Sequence, residues 1–154
     1  MTAHWALALT LTLALASCGG IRDSRLNPLN WFGRSAPAER IQVAVATDAD
    51  ADPRPLVETV TDMQVDAFPG GAIVRATGLT PTQGWWAAEL VELPIDEDGV
   101  LVLEFRLLPP ITPTDVNTPQ SRTVTVGTSF SEIKLSKISR IVVQGKTNAR
   151  ASAR

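Results

Sequence analysis

The sequence predicts an all-β protein: one small β-sandwich of about seven strands, following a signal peptide and a flexible tether. Three observations predict it. From Leu56 onward the apolar residues fall into short runs, at residues 56–66, 71–78, 84–93, 100–108, 121–127 and 138–146, and runs of that length suit strands. Turn-forming clusters, FPGG, LTPTQG and the Asp98-Gly99 pair in PIDEDGV, punctuate the runs and supply backbone angles that strands cannot. Within the runs apolar and polar residues alternate, as they do where one face of a sheet packs on a second sheet and the other meets water. A chain of 154 residues has room for one such core.

The first element is the leader. From Ala6 to Ala16 the chain is Ala, Leu and Thr without a charge, the length of a signal-peptide apolar region and too short to span a bilayer. Its start, MTAHW, has no Lys or Arg where an export signal carries positive charge, so only the α-amine and His4 supply it. The stretch that follows, Leu15-Ala16-Ser17-Cys18, resembles the lipobox of bacterial lipoproteins at all of its positions. The resemblance implies a signal peptide over residues 1–17, cleavage between Ser17 and Cys18, a diacylglycerol on the Cys18 thiol and an acyl chain on its new amine. Small residues at Ala16 and Ser17 suit a protease cleft, and the lone thiol is otherwise a liability in an oxidising compartment. Several acyl chains hold a protein on a membrane far more firmly than one. In this class an Asp after the cysteine commonly means inner-membrane retention; Gly19 stands there, so the expected location is the periplasmic face of the outer membrane. The whole chain is similar to small lipoproteins of proteobacteria, from which no activity carries over.

Residues 18–55 read as a lipid-anchored start and a linker, rich in Gly, Pro, Ala, Ser and scattered charge. Within them IRDSRLNPLNWFGR sets Arg22, Arg25 and Arg34 around Leu26, Leu29, Trp31 and Phe32. Two readings stay open for Trp31 and Phe32: they lie in the headgroup layer beside the anchor, or they pack against the β domain or a partner. DADAD places Asp48, Asp50 and Asp52 at the first spacings of a calcium loop, but Pro53 stands where that loop needs Gly and Thr59 where it needs a bidentate Glu. A solvated acidic linker is expected instead.

The sandwich is expected over residues 56–154. In VLVLEFRLL, Leu101, Leu103, Phe105 and Leu107 share one face, the core face, and Glu104 and Arg106 the other. In TVTV the valines Val124 and Val126 point inward; in RIVVQG, Ile141 and Val143 do. SEIKLSKI carries apolar residues at helical spacing and predicts a short helical turn between the sheets, and NARASAR alternates like a weak edge strand. On the third strand the parity of Trp86, Ala88 and Leu90 sends Trp86 inward, leaving Trp85 outward beside Ala87 and Glu89, where it is either an anchor for a partner or a sugar ring or is covered by the linker or a neighbouring loop. The strand count and pattern resemble an immunoglobulin-like or fibronectin type III-like sandwich, with Trp86 in the place of that fold's core tryptophan. The chain lacks the inter-sheet cysteines and, having no tyrosine, the tyrosine corner.

Composition excludes several functions. A net charge of -2 with one cysteine and one histidine argues against nucleic acid, an internal disulfide and a zinc site. The histidine, His4, lies in the leader, so no imidazole remains after cleavage for acid–base work. Ser131, Ser136, Lys134 and Lys137 cluster as the wet face of a turn rather than a Ser/Lys centre. Asp96, Glu97 and Asp98 read as a solvated turn, and FPGGA lacks the helix and lysine of a phosphate loop. Acids dominate from Asp48 to Glu104 and bases from Arg122 to Arg154, so the halves attract each other or face envelope partners. The expected function is a non-enzymatic, membrane-anchored binding or assembly module with an envelope protein as partner and Trp85, Trp31 and Phe32 as candidate contacts. No catalytic residue, cofactor or metal is expected. The alternatives are a small envelope hydrolase using paired carboxylates among Glu89, Glu92 and Glu104, and a carrier for a hydrophobic ligand.

Overall fold

In the computed structural model, which describes residues 35–41 and 52–153, the described residues form eight strands. They are β1 (Ala36–Ala38), β2 (Thr59–Phe68), β3 (Gly71–Leu79), β4 (Trp86–Glu92), β5 (Val100–Leu108), β6 (Thr123–Ser131), β7 (Arg140–Gln144) and β8 (Ala149–Ala153). A 3-10 turn, Pro119–Arg122, precedes β6, and a single helical turn, α1 (Glu132–Leu135), follows it. The strands build a five-stranded sheet in the order β1-β8-β7-β5-β4 and a three-stranded sheet in the order β2-β3-β6. The all-β sandwich expected from the alternation is the architecture. Among the described residues no helix is long and apolar enough to cross a membrane.

One pairing departs from a purely antiparallel sandwich: β5 and β7 run parallel, Leu101 beside Ile141 and Leu103 beside Val143. Parallel neighbours need a crossover. Here the chain leaves β5, crosses to the other sheet as β6, and returns through α1, the helical turn expected in SEIKLSKI. Ser131 caps that turn, its hydroxyl accepting from the Lys134 N–H at 3.4 Å.

The core lies where alternation puts it. Leu101, Leu103, Phe105 and Leu107 are fully buried, and they meet Val60, Val74 and Ala76 of the facing sheet together with Ile141 and Val143. Val124 and Val126 pack against the rim of this cluster. Burial of this kind, at about 25 cal/mol per Å² of apolar surface, is the main drive for folding a domain of this size. The expected turns form: Gly70 takes φ +99° between β2 and β3, and Gly99 takes φ +76° between β4 and β5. Asp96 organises the second turn, its Oδ1 accepting from the N–H groups of Asp98 (3.0 Å) and Val100 (2.7 Å).

Three differences from the sequence reading matter. The segment read as linker contributes β1, which pairs antiparallel with β8, Ala36 beside Ala151. As a result NARASAR is an interior strand and not an edge. The outward face of β5 is also covered, with Val102 and Glu104 buried, and chain from before residue 56 lies against Arg106 and the neighbouring Gln144 of β7: Arg106 Nη1 donates to the carbonyls of Asp52 (2.8 Å) and Arg54, and the Ile41 N–H donates to Gln144 Oε1 (3.2 Å). Finally, the inward and outward assignment of the two tryptophans is reversed.

Candidate functional site

The reversal starts at Ala87, a non-glycine residue with φ +48°. The ladder between β4 and β5 pairs Trp86 with Leu108 and Glu89 with Arg106, so three steps on β4 match two on β5. The extra residue is a β-bulge, and it changes the parity of the strand. Leu90 is buried and Ala88 packs against the core as alternation requires, but inward orientation then passes to Trp85. Trp85 lies half-buried against the core with its Nε1–H donated to Thr82 Oγ1 at 3.2 Å. Trp86 is 52% exposed. The expectations that Trp86 fills the core and that Trp85 is the exposed anchor are therefore both corrected, by one residue in the left-handed region.

Trp86 is held where it stands. Its Nε1–H donates to the Pro109 carbonyl at 3.2 Å, and the loop at residues 109–118 bonds to Gln83, just ahead of its strand. Gln83 N–H donates to the Asp115 carbonyl (3.0 Å), and Thr114 Oγ1–H to the Gln83 carbonyl (2.7 Å). This loop contains Pro109, Pro110 and Pro113, which limit its freedom, and it exposes Ile111 (93%) and Val116 (52%). Trp86, Ile111 and Val116 are three of the five exposed large hydrophobics among the described residues.

Arg54 clamps the bulge. Its Nη1 donates to the Ala87 carbonyl at 2.8 Å, and its Nη2 pairs with Glu89 (2.6 Å) and Asp52 (2.5 Å). The hydrogen bonds from Arg54 pull the Asp52 carboxyl down to about 2, and Asp52 first, then Glu89, raise the Arg54 guanidinium above its ordinary value. Nothing in ADPRPL signalled this clamp, since a linker and a strap of that composition look alike.

The other candidates separate. Glu89 pairs with Arg54, Glu104 with Arg106 at 2.7 Å, and Glu92 with Lys134, so each carboxylate has a different cation. Ser136 Oγ–H donates to the Ile133 carbonyl at 2.8 Å, Ser131 Oγ accepts from the Lys134 N–H, and the Lys134 amine pairs with Glu92. Asp52, the last acid of DADAD, faces Arg54; Asp48 and Asp50 lie outside the described residues, as do Ser17, Cys18, Gly19, Trp31 and Phe32. An open depression of about 530 Å³ between the β4–β5 turn and residues 136–139 is lined by Glu97, Asp98, Lys137 and Ser139. Attraction between the acidic and basic parts of the chain takes the form of the Glu92–Lys134 and Glu58–Lys146 pairs, the latter at 2.9 Å.

The chain matches no family model, no curated protein and no solved structure.

Proposed function

We propose that this protein is a lipid-anchored envelope protein whose sandwich is a non-catalytic binding module, contacting an envelope protein partner through the surface around Trp86. The observation that carries the binding reading is the exposed indole of Trp86 on an edge strand, aimed outward by the Ala87 bulge and steadied by Pro109 and Arg54. A rigid aromatic anchor gains burial on binding without a large ordering cost, which is why tryptophan recurs at binding hot spots. Ile111, two residues beyond Pro109 in the proline-limited loop, is exposed as well. Two observations favour this over the alternatives: the acids form separate ion pairs, and side chains as large as Phe105 and Met63 fill the interior that a hydrophobic carrier would keep open.

The anchoring half of the proposal rests on Leu15-Ala16-Ser17-Cys18, with Cys18 as the acylated first residue and Gly19 directing it to the periplasmic face of the outer membrane. Intact-mass analysis of the protein from envelopes tests it: the expected species begins at Cys18 and carries acyl chains, and a species unmodified there overturns the anchor. For the binding half, a photo-crosslinking amino acid at the exposed position 111, with Trp86 kept, should capture a protein from envelopes. Trp86→Ala should weaken co-purification of that protein by roughly tenfold or more while the domain still melts cooperatively. Undiminished co-purification would remove Trp86 from the interface.

A further inference from the structure

Four strands end the two sheets, and three are guarded against pairing with other strands. The β1 strand has three residues, one of them Pro37; β4 carries the Ala87 bulge with Glu89 and Glu92; β2 breaks register between Val60 and Asp62 and carries Asp62 and Asp66. Short length, proline, bulges and charge are the devices by which sheet edges avoid association. The fourth, β6, has none of them. Its sequence TVTVGTSFS is free of charge and proline, and it pairs with β3 through nine consecutive residues without a shift, from Gly71 beside Ser131 to Leu79 beside Thr123.

The main-chain groups on this edge can be assigned. Beyond the two ends of the ladder, the Thr80 N–H donates to the Arg122 carbonyl (3.1 Å) and the Glu132 N–H to the Gly70 carbonyl (2.9 Å). Bonding direction alternates along an antiparallel ladder. Even-numbered residues of β6 therefore turn their N–H and C=O groups to β3, and Thr125, Gly127 and Ser129 turn theirs off the edge. Those same three residues are exposed. The β4 strand comes close to β6 without pairing with it, and no described strand other than β3 pairs with it.

We propose that the β6 edge pairs with β6 of a second copy of this chain, antiparallel about a two-fold axis at Gly127, joining the two three-stranded sheets into one continuous sheet. The sequence is complementary to itself in that register. Thr125 falls opposite Ser129 of the second copy and Thr123 opposite Ser131, hydroxyl pairs that stabilise cross-strand contacts. At the axis Gly127, whose N–H and C=O point off the edge, falls opposite itself and exchanges both hydrogen bonds with its copy. A two-fold, isologous contact is the commonest form of self-assembly, and an edge with no like charges of its own can meet its copy without repulsion. This surface is separate from the one around Trp86, and either can fail alone.

Cysteine crosslinking of the full chain in the membranes or detergent from which it is isolated tests the register. With Gly127 opposite itself in a hydrogen-bonded pair, the two Cα atoms stand about 5.5 Å apart, within disulfide reach. Oxidised Gly127→Cys should give a product of twice the chain mass, roughly tenfold more abundant than from the wild type, whose only cysteine is Cys18, or from Asp62→Cys on β2. A Gly127→Cys dimer no more abundant than those controls overturns the proposal, and so does a product of another mass, which would mean that a different protein takes the edge. A second variant separates association from folding. A Cβ at Gly127 meets nothing closer than Val74 O at 3.5 Å, and the residue opposite it within the chain is Arg75, so Gly127→Glu is accommodated in one chain yet sets two carboxylates face to face across the axis. The full chain should sediment as a dimer and Gly127→Glu as a monomer with the same β-type circular dichroism; identical sedimentation of the two overturns the proposal.

Discussion

The neighbouring strands β4 and β5 read alike in sequence and behave differently in the fold. Both alternate. In β5 every second residue from Leu101 to Leu107 enters the core. In β4 the alternation holds at Ala88 and Leu90 and then fails, so that Trp85 goes in and Trp86 comes out. The difference lies in what borders each strand. Between β4 and β7, β5 is bonded on both sides, and an extra residue would break two ladders. As an edge strand, β4 can absorb one at the cost of a single strained residue, and Arg54, arriving from outside the strand, supplies a donor for the displaced Ala87 carbonyl. Edge strands are where parity read from sequence is least constrained, and here that freedom places an indole in solvent.

The comparison yields four expected outcomes, in decreasing order of effect. Phe105→Ala, in the regular strand, should be the most damaging: Phe105 is fully buried, and truncating a buried aromatic costs about 3 to 5 kcal/mol, enough to unfold a small domain or abolish its cooperative thermal transition. Next, Trp85→Ala should cost about 2 to 3 kcal/mol and Trp86→Ala under about 1 kcal/mol by chemical denaturation, since only the former packs against the core. An equal or inverted pair of values would mean that the bulge is absent in solution.

Third, Ala87→Gly should raise the stability by about 0.5 to 1 kcal/mol, because glycine adopts φ +48° without the penalty a Cβ incurs there, whereas Ala87→Val should lower it. A loss of stability in Ala87→Gly would show that the residue is not left-handed. The smallest effect concerns the clamp. With its carboxyl depressed to about 2 in the folded state against an ordinary 3.8, Asp52 contributes stability that is fully present above about pH 4 and lost as pH falls through about 2. In Arg54→Ala that contribution is missing, so the melting temperature should fall less steeply between those pH values than in the wild type. Parallel pH profiles would mean that the Asp52–Arg54 pair does not form in solution.

Much of the framework is legible from residue order. Leu101 to Leu107, Val124, Val126, Ile141 and Val143 face inward because a strand has a period of two and water selects the polar face. Gly70 and Gly99 mark turns because a Cβ opposes positive φ, and Ser131 marks a helical start because its hydroxyl can cap one. These are local rules, and local rules operate on adjacent residues.

What residue order could not settle involves partners distant in the chain. Whether Ala36–Ala38 is tether or strand depends on β8, which lies more than a hundred residues away and offers it a ladder. Whether Asp52 and Arg54 are solvated or locked depends on Arg106 and on an Ala87 carbonyl that a bulge has turned outward. The parity of β4 depends on that bulge, and a bulge is a compromise between strand twist, the ladder with β5 and the clamp, none of which a run such as GWWAAELVE encodes by itself. The sequence alone determined that this chain makes a two-faced β core with no histidine beyond His4. The tertiary structure decided which tryptophan the core keeps and which it presents to solvent, because that choice turns on one backbone angle stabilised by Arg54 and Pro109, groups from two other segments.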